Sequence, residues 1–158
     1  MNTRTDLLQQ MAVFGALRAD VLEFLLAESR TVALRRGEFF CHQGESGESM
    51  FVLEQGSVEI LKERAGAEPH VIRALGAGDC FGEMALMDLS PRSASVRALE
   101  DCVAIEISVA TLLRLAQKDI EQFALIEMNM GRELSRRLRE TDERLFPGAN
   151  HGPEAPSG

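Results

Sequence analysis

Apolar residues between positions 7 and 30 recur at helical spacing and predict two short helices. One side of a helix collects positions three or four apart, and the positions that fit are Leu7, Leu8, Met11, Phe14, Leu17, Val21, Leu22, Leu25 and Leu26. Gly15 interrupts the run, so we expect one helix on each side of it. Both helices should cover a sheet that forms further along the chain.

Between residues 31 and 107, the apolar residues recur at every second position. Short segments alternate between the two faces of a strand, among them 32–35, 51–54, 58–60 and 103–107. Glycines separate these segments, at Gly37, Gly44, Gly47, Gly56, Gly76 and Gly78. Short strands with glycine turns are typical of an antiparallel sandwich or barrel. The polar segment 63–70 should form a hairpin tip.

The C-terminal part returns to helical spacing. Residues 109–117 predict a short helix, and Asp119 followed by Gln122 is close to a capping box that begins a longer one. We expect that helix to run from about residue 120 to residue 145, with Pro147-Gly148 ending it. A seam with alternating spacings of three and four is formed by Gly131, Leu134, Leu138, Thr141 and Leu145. The seam is compatible with a homodimer through residues 120–145.

The length and net charge of the chain limit the classes of function that it can have. A chain of 158 residues is long enough for one ordinary domain and too short for two. Its 17 Lys and Arg against 25 Asp and Glu give a net charge of −8, which disfavours direct DNA binding because such a site needs clustered positive charge. No apolar run approaches membrane-spanning length, and residues 1–6 lack the apolar core of a signal peptide. We therefore expect a cytoplasmic protein that does not contact a membrane.

The three cysteines predict buried free thiols. Cys41, Cys80 and Cys102 are widely spaced, and each has apolar neighbours in a strand-like segment. A metal centre needs a closer cluster of ligands than Cys41 and His42 supply. We expect no bound metal.

Residues 81–96 predict a short helical turn, a loop and a strand, and they carry the chemistry of a phosphate site. Gly82 allows the backbone to approach a ligand closely, and the first N–H groups of the turn are able to hold an anion. Arg92 and Ser93 add a guanidinium and a hydroxyl. Glu83 fits beside a phosphate only if it accepts hydrogen bonds from a pair of ligand hydroxyls, so these residues predict a sugar phosphate.

The order of residues in this segment resembles a known family. Phe-Gly-Glu-Met-Ala-Leu at 81–86, followed by Pro-Arg-Ser-Ala-Ser-Val at 91–96, is similar to the phosphate-binding cassette of cyclic nucleotide-binding domains. These are domains of the type found in catabolite activator protein and in the regulatory subunits of cyclic AMP-dependent kinase. The glycine-containing segments 43–48, 54–58 and 76–82 resemble the jelly roll of the same family.

The resemblance implies a mainly β, α+β fold. We expect an antiparallel jelly-roll barrel with N-terminal helices, a short helix in the cassette and a long C-terminal helix. The chain would then consist of the β-roll with its N-terminal helices at 1–118, a lid and dimerisation helix at 119–146, and a disordered tail at 147–158.

The resemblance also implies the ligand contacts. The phosphate would lie against Arg92, Ser93 and the backbone N–H groups of Met84, Ala85 and Leu86. The ribose would contact Gly82 and Glu83. The purine would contact Ile72, Arg73, Arg137 and Thr141, with Asp142 reaching in from a partner chain. Arg136 and Arg139 are expected on a solvated helix face, paired with glutamates at helical spacing.

The function that follows is a stand-alone sensor for a cyclic nucleotide, with cyclic AMP as the first choice and cyclic GMP as the second. Residues after 146 are too few for a DNA-reading module, so the signal would pass to a separate effector protein that the sequence does not name. One alternative is an interaction module on the same fold, with a degenerate pocket or one for another nucleotide such as a cyclic dinucleotide. Another is a hydrolase that uses Glu83. We find no catalytic residues and expect no enzymatic activity.

Overall fold

The computed structural model describes residues 3–83 and 90–145. The N-terminal helices are α1 at Thr3–Gln9 and α2 at Ala19–Glu28, with a 3-10 turn at Ala12–Phe14 between them. Two further helices follow the strands, α3 at Val109–Lys118 and α4 at Ile120–Leu145. The predicted cassette contacts at 84–86 and the predicted tail at 147–158 lie outside the described residues.

Within the described residues, eight strands form two antiparallel sheets of four strands each. They are β1 (Arg30–Leu34), β2 (Phe39–Cys41), β3 (Ser49–Gln55), β4 (Ser57–Lys62), β5 (His70–Gly76), β6 (Cys80–Phe81), β7 (Ser95–Ala98) and β8 (Cys102–Ser108). The first sheet has the order β1-β8-β3-β6, and the second has the order β2-β7-β4-β5. The antiparallel jelly roll is therefore confirmed, although the described strands form two separate sheets and not the closed barrel that was expected.

The first sheet is the wall between two hydrophobic cores. In β3, Met50 and Val52 pack under the helices, whereas Phe51 and Leu53 pack between the two sheets. Successive residues of a strand point to opposite faces, so β3 fills both cores at once. The alternation predicted burial for Phe51 and Leu53, and Val52 is buried as well because the helices cover the other face of the sheet.

The helices lie where the periodicity predicted them, but the capping box is only half formed. Asp119 accepts a hydrogen bond from the backbone N–H of Gln122 at 3.2 Å. The Gln122 side chain instead accepts from the backbone N–H of Arg18 at 2.9 Å, because the N-terminal segment lies beside the start of α4.

Within residues 3–83 and 90–145, no helix has the length and apolar content that crossing a membrane requires.

The character of α4 changes along its length. Ile126 and Met130 are completely buried in the core under the helices. Further along, Leu138 and Leu145 are 63% and 66% exposed. Gly131 lies at the transition, and a Cβ added there would meet no atom within 4 Å. Dimerisation through the predicted seam stays a prediction.

Asn129 connects the buried half of α4 to the N-terminal segment. It is a buried residue, and its Nδ2 donates to the carbonyl of Val13 at 3.2 Å and to that of Gly15 at 2.9 Å. Together with the contact between Gln122 and Arg18, these bonds hold the first half of α4 against residues 13–18 by polar as well as apolar contacts.

Substitution of Asn129 tests this connection. Asn129→Ala should lower the free energy of unfolding by about 1–3 kcal/mol, because the carbonyls of Val13 and Gly15 lose the donor they share. Urea unfolding at neutral pH measures the change. Ser135→Ala, on the exposed face of the same helix, is the control and should change little. Equal stability of Asn129→Ala and wild type would contradict the assignment.

Candidate functional site

A cavity of about 450 Å³ lies between the second sheet and the second half of α4. Its volume is in the range of small-molecule pockets, roughly 300–1,000 Å³. Eight of the predicted contact residues line it: Ile72, Arg73, Gly82, Glu83, Arg92, Ser93, Arg137 and Thr141. Asp142 is exposed and does not line the cavity of its own chain, so its predicted contact from a partner stays a prediction.

The side chain of Arg92 occupies a narrow space between two glycines. A Cβ on Gly47 would lie 2.1 Å from Nε of Arg92, and one on Gly82 would lie 2.6 Å from its Nη1. Gly82 also has a φ of +83°, a conformation that other residues rarely adopt. On a third side, Cζ of Arg92 lies 5.7 Å from the centre of the Phe51 ring. Both glycines are therefore needed for Arg92 to reach the cavity.

The backbone of Arg92 is fixed by the same loop that contains Gly47. The N–H of Arg92 donates to the carbonyl of Glu45, and the N–H of Gly44 donates to the carbonyl of Arg92, each at 2.8 Å. This pair of bonds sets the position of residues 91–93 before β7 begins. Main chain and side chain of Arg92 are thus positioned by one short segment.

The positive charge of Arg92 is buried without a carboxylate partner among the residues that the structure describes. The residue is only 8% exposed. Its Nη1 donates to the carbonyl of Gly82 at 3.3 Å and its Nη2 to Oγ of Ser49 at 3.5 Å, which are long contacts with neutral acceptors. Ser49 in turn donates to a carboxylate oxygen of Glu106 at 2.7 Å. A guanidinium has five N–H donors, so the environment of Arg92 suits an anion in the cavity.

Glu83, in contrast, has a direct ion-pair partner. It is 3% exposed, and its Oε1 accepts from Nη1 of Arg137 at 2.6 Å. Nη2 of Arg137 also donates to the carbonyl of Cys80 at 2.7 Å. Burial raises the pKa of the Glu83 carboxyl, and the positive charge of Arg137 partly opposes that rise. The ion pair joins α4 to the segment at the end of β6.

Further ion pairs extend from Arg137 along α4 to β5. Arg137 Nε lies 3.5 Å from Oε1 of Glu133, and Arg136 pairs both with Glu133 and, at 2.6 Å, with Glu140. Glu140 then pairs with Arg73 at 2.8 Å. We call these six residues the charge series. It alternates three acids and three bases, in the order Glu83, Arg137, Glu133, Arg136, Glu140 and Arg73. Arg136 pairs with glutamates as the sequence predicted, and Arg139 is exposed.

The lining of the cavity is positively charged although the protein is acidic. Among the described lining residues, four basic side chains, Lys62, Arg73, Arg92 and Arg137, face one acidic side chain, Glu83, which gives a net charge of 4 − 1 = +3. The whole chain carries −8. The lining therefore favours an anionic ligand over a cationic or neutral one.

Sequence reasoning missed several lining residues. Lys62 follows Ile60 by two positions and shares its face of β4, so the alternation contained a signal for it. Cys41 lines the cavity and is half-buried, and burial raises the pKa of its thiol. Leu134 and Leu138 line the side formed by α4, although the spacing had assigned both to a dimer seam.

Comparison with protein families identifies the fold and the kind of site. Residues 31–119, more than half of the chain, match the family described as cyclic nucleotide-binding domain. The chain belongs to the cyclic nucleotide-binding domain family. The match begins at the second residue of β1 and ends at Asp119, directly before α4.

Two curated relatives of this chain are longer than it is. The cyclic AMP receptor protein of Thermus thermophilus is 29% identical over 133 residues, which are 84% of this chain and 60% of that protein. The cAMP-activated global transcriptional regulator Vfr of Pseudomonas aeruginosa is 33% identical over 128 residues, 78% of this chain and 58% of Vfr. The chain thus spans less than two thirds of the length of either relative.

A solved structure supports the fold independently. A cyclic nucleotide-binding domain from Methylobacillus flagellatus superimposes with a TM-score of 0.81 over 90% of this chain and 80% of that one. The sequence identity is 23%, so this likeness concerns the fold alone. The cyclic nucleotide-binding domain fold is therefore shown both by sequence and by structure.

The raised pKa of Glu83 predicts how pH affects stability. Because the carboxyl has a higher pKa in the folded than in the unfolded protein, the folded state binds more protons above the usual glutamate pKa, and stability falls as pH rises through the raised value. Glu83→Gln does not titrate. The unfolding free energy of wild type minus that of Glu83→Gln should therefore decrease as the pH rises above about 4.3, the usual pKa of a glutamate.

Denaturant unfolding at several pH values measures this difference. Glu143→Gln, which removes an exposed carboxylate from α4, controls for the general effect of charge. A difference between wild type and Glu83→Gln that is constant with pH, or that grows as pH rises, would show that burial does not dominate at Glu83.

Proposed function

We propose that this chain is a cyclic nucleotide sensor, with cyclic AMP as its ligand, and that it regulates a separate partner protein through α4. The observation that carries the proposal is the buried guanidinium of Arg92, which faces the cavity without a carboxylate among the described residues. Burying such a charge is costly unless an anion compensates it. A cyclic phosphate supplies that anion.

We propose the remaining contacts from the family resemblance, and the described lining residues are compatible with them. The phosphate lies against Arg92 and Ser93, and the predicted contacts at 84–86 lie outside the described residues. Glu83 accepts a hydrogen bond from the ribose 2′-hydroxyl. The purine lies towards α4, between the β5 residues Ile72 and Arg73 and the helix residues Arg137 and Thr141, with Asp142 added if a partner chain brings it. Each charge-assisted bond contributes on the order of 1.5–3 kcal/mol.

Cyclic AMP is preferred because of the relatives. The names of the Thermus thermophilus receptor and of Vfr both refer to cyclic AMP, whereas the lining residues themselves fit either purine. Cyclic GMP, a cyclic dinucleotide and a pocket without nucleotide are the competing outcomes of a titration. The proposed activity is binding, without catalysis.

The charge series supplies a route from the ligand to α4. Arg137 is held by the same carboxylate that is proposed to accept from the ribose, so a bound hydroxyl would share Glu83 with Arg137 and change the strength of that ion pair. Ligand then changes the relative stability of two positions of α4. Exposed Leu138 and Leu145 on this half of the helix are the surface through which a second copy or an effector protein would sense the change.

Arg92→Ala tests the phosphate contact. The variant should bind cyclic AMP at least about tenfold more weakly, because one charge-assisted contact is lost. Calorimetric titration with cyclic AMP, cyclic GMP and a cyclic dinucleotide measures affinity and choice of ligand together. Arg97→Ala is the matched control, since Arg97 pairs with Glu59 and does not line the cavity. Wild-type affinity in Arg92→Ala would refute the proposal.

Amide hydrogen exchange tests the coupling to α4. Cyclic AMP should change exchange in the second half of the helix, residues 131–145, more than in the first half, which Asn129 and the apolar core hold in place. Arg137→Gln should reduce this difference because it removes the ion pair with Glu83. Identical exchange in residues 120–145 with and without bound ligand would show that the coupling is absent.

A further inference from the structure

Lys62, at the end of β4, lines the same cavity as Arg92, which lies in the segment before the neighbouring strand β7. β4 pairs with β7 in an antiparallel register that places Ile60 opposite Val96 and Leu61 opposite Ser95. The same register continued by one residue brings Lys62 beside residues 93 and 94. Ile60 and Val96 both line the cavity, and Lys62 lies two positions beyond Ile60 on the same face of the strand.

The ammonium group of Lys62 lies next to the predicted phosphate contacts. Its Nζ donates to the backbone carbonyl of Ser93, the residue directly after Arg92. The strand end is positioned by Gln43, whose side chain accepts from the N–H of Glu63 at 2.8 Å and donates to the carbonyl of the same residue at 3.3 Å. The position of Lys62 is therefore fixed relative to the loop that also fixes Arg92.

The four basic residues of the cavity divide into two kinds. Arg73 and Arg137, on the side of α4, each pair with a glutamate. Arg92 and Lys62 have no carboxylate within 4 Å among residues 3–83 and 90–145. The uncompensated positive charge of the lining is thus concentrated at one end, where one cation is buried and the other is exposed at the rim.

We propose that Lys62 is a second cation for the phosphodiester of the ligand and contacts an exocyclic phosphate oxygen from the rim while Arg92 contacts the phosphate from inside. An ammonium has three donors, and the carbonyl of Ser93 uses one of them. This inference rests on the proposed function. It adds a contact that reaches the ligand from the solvent side, where salt screens it.

The composition of the chain provides a direct test. Lys62 and Lys118 are its only lysines. Nζ of Lys118 lies 4.7 Å from the centre of the Phe24 ring, and Lys118 does not line the cavity. Acylation of the full chain with an amine-selective reagent, read by mass spectrometry, therefore reports the two sites separately. Saturating cyclic AMP should slow the labelling of Lys62 and leave that of Lys118 unchanged.

Affinity measurements complete the test. Lys62→Met should weaken cyclic AMP binding by about two- to fivefold, the range of an exposed charge pair, and should make the affinity less dependent on salt. Lys62→Arg should restore both the affinity and the salt dependence, and Lys118→Met is the matched control. Calorimetry at ionic strengths of about 0.05 M and 0.5 M measures both quantities.

The outcomes separate this inference from the proposed function. If wild type binds no cyclic nucleotide, the proposed function fails, and the role of Lys62 fails with it. If wild type and Lys62→Met bind equally with the same salt dependence, and ligand does not protect Lys62, only the role of Lys62 is overturned. Protection of Lys62 with a weaker, less salt-dependent affinity in Lys62→Met supports it.

Discussion

Arg92 holds a positive charge in a place from which water is largely excluded, and the neighbouring residues are arranged around that charge. Gly47 and Gly82 leave the space that its guanidinium needs, and Phe51 forms one wall beside it. The backbone carbonyl of Glu45 accepts a hydrogen bond from the backbone N–H of Arg92. Among the described residues Arg92 contacts only neutral acceptors, and such burial of a cation raises the free energy of the fold, so this part of the protein gives up some stability to keep a group that attracts anions.

The charges on the other side of the cavity are arranged differently. The charge series from Glu83 to Arg73 contains as many acids as bases, and every neighbouring pair lies within 4 Å. Its interactions stabilise the second half of α4, where Leu138 and Leu145 have no core to enter. The first half is held by apolar contacts and by Asn129. One helix is therefore attached in two physically distinct ways.

The sequence was sufficient for most helices and strands and for eight of the residues that line the cavity, because these depend on local periodicity and on a compact motif. Helix α4 begins at Ile120, as predicted, and Gly82, Arg92 and Ser93 line one cavity as the cassette pattern indicated. The pairing of Glu83 with Arg137 was not predictable in this way, since the two are 54 positions apart. The same limit applies to Val52 and Gln122, whose surroundings depend on how the helices pack against the sheet.

Gly131 lies between the half of α4 that is held by the apolar core and the half that is held by the charge series. Nothing in the packing excludes a side chain there, and glycine inside a helix is less stable than alanine by about 0.5–1 kcal/mol. The helix is therefore locally less stable at the boundary between its two halves than it would be with alanine there. Bending at Gly131 would move the second half of α4 while the first half stays packed against the core.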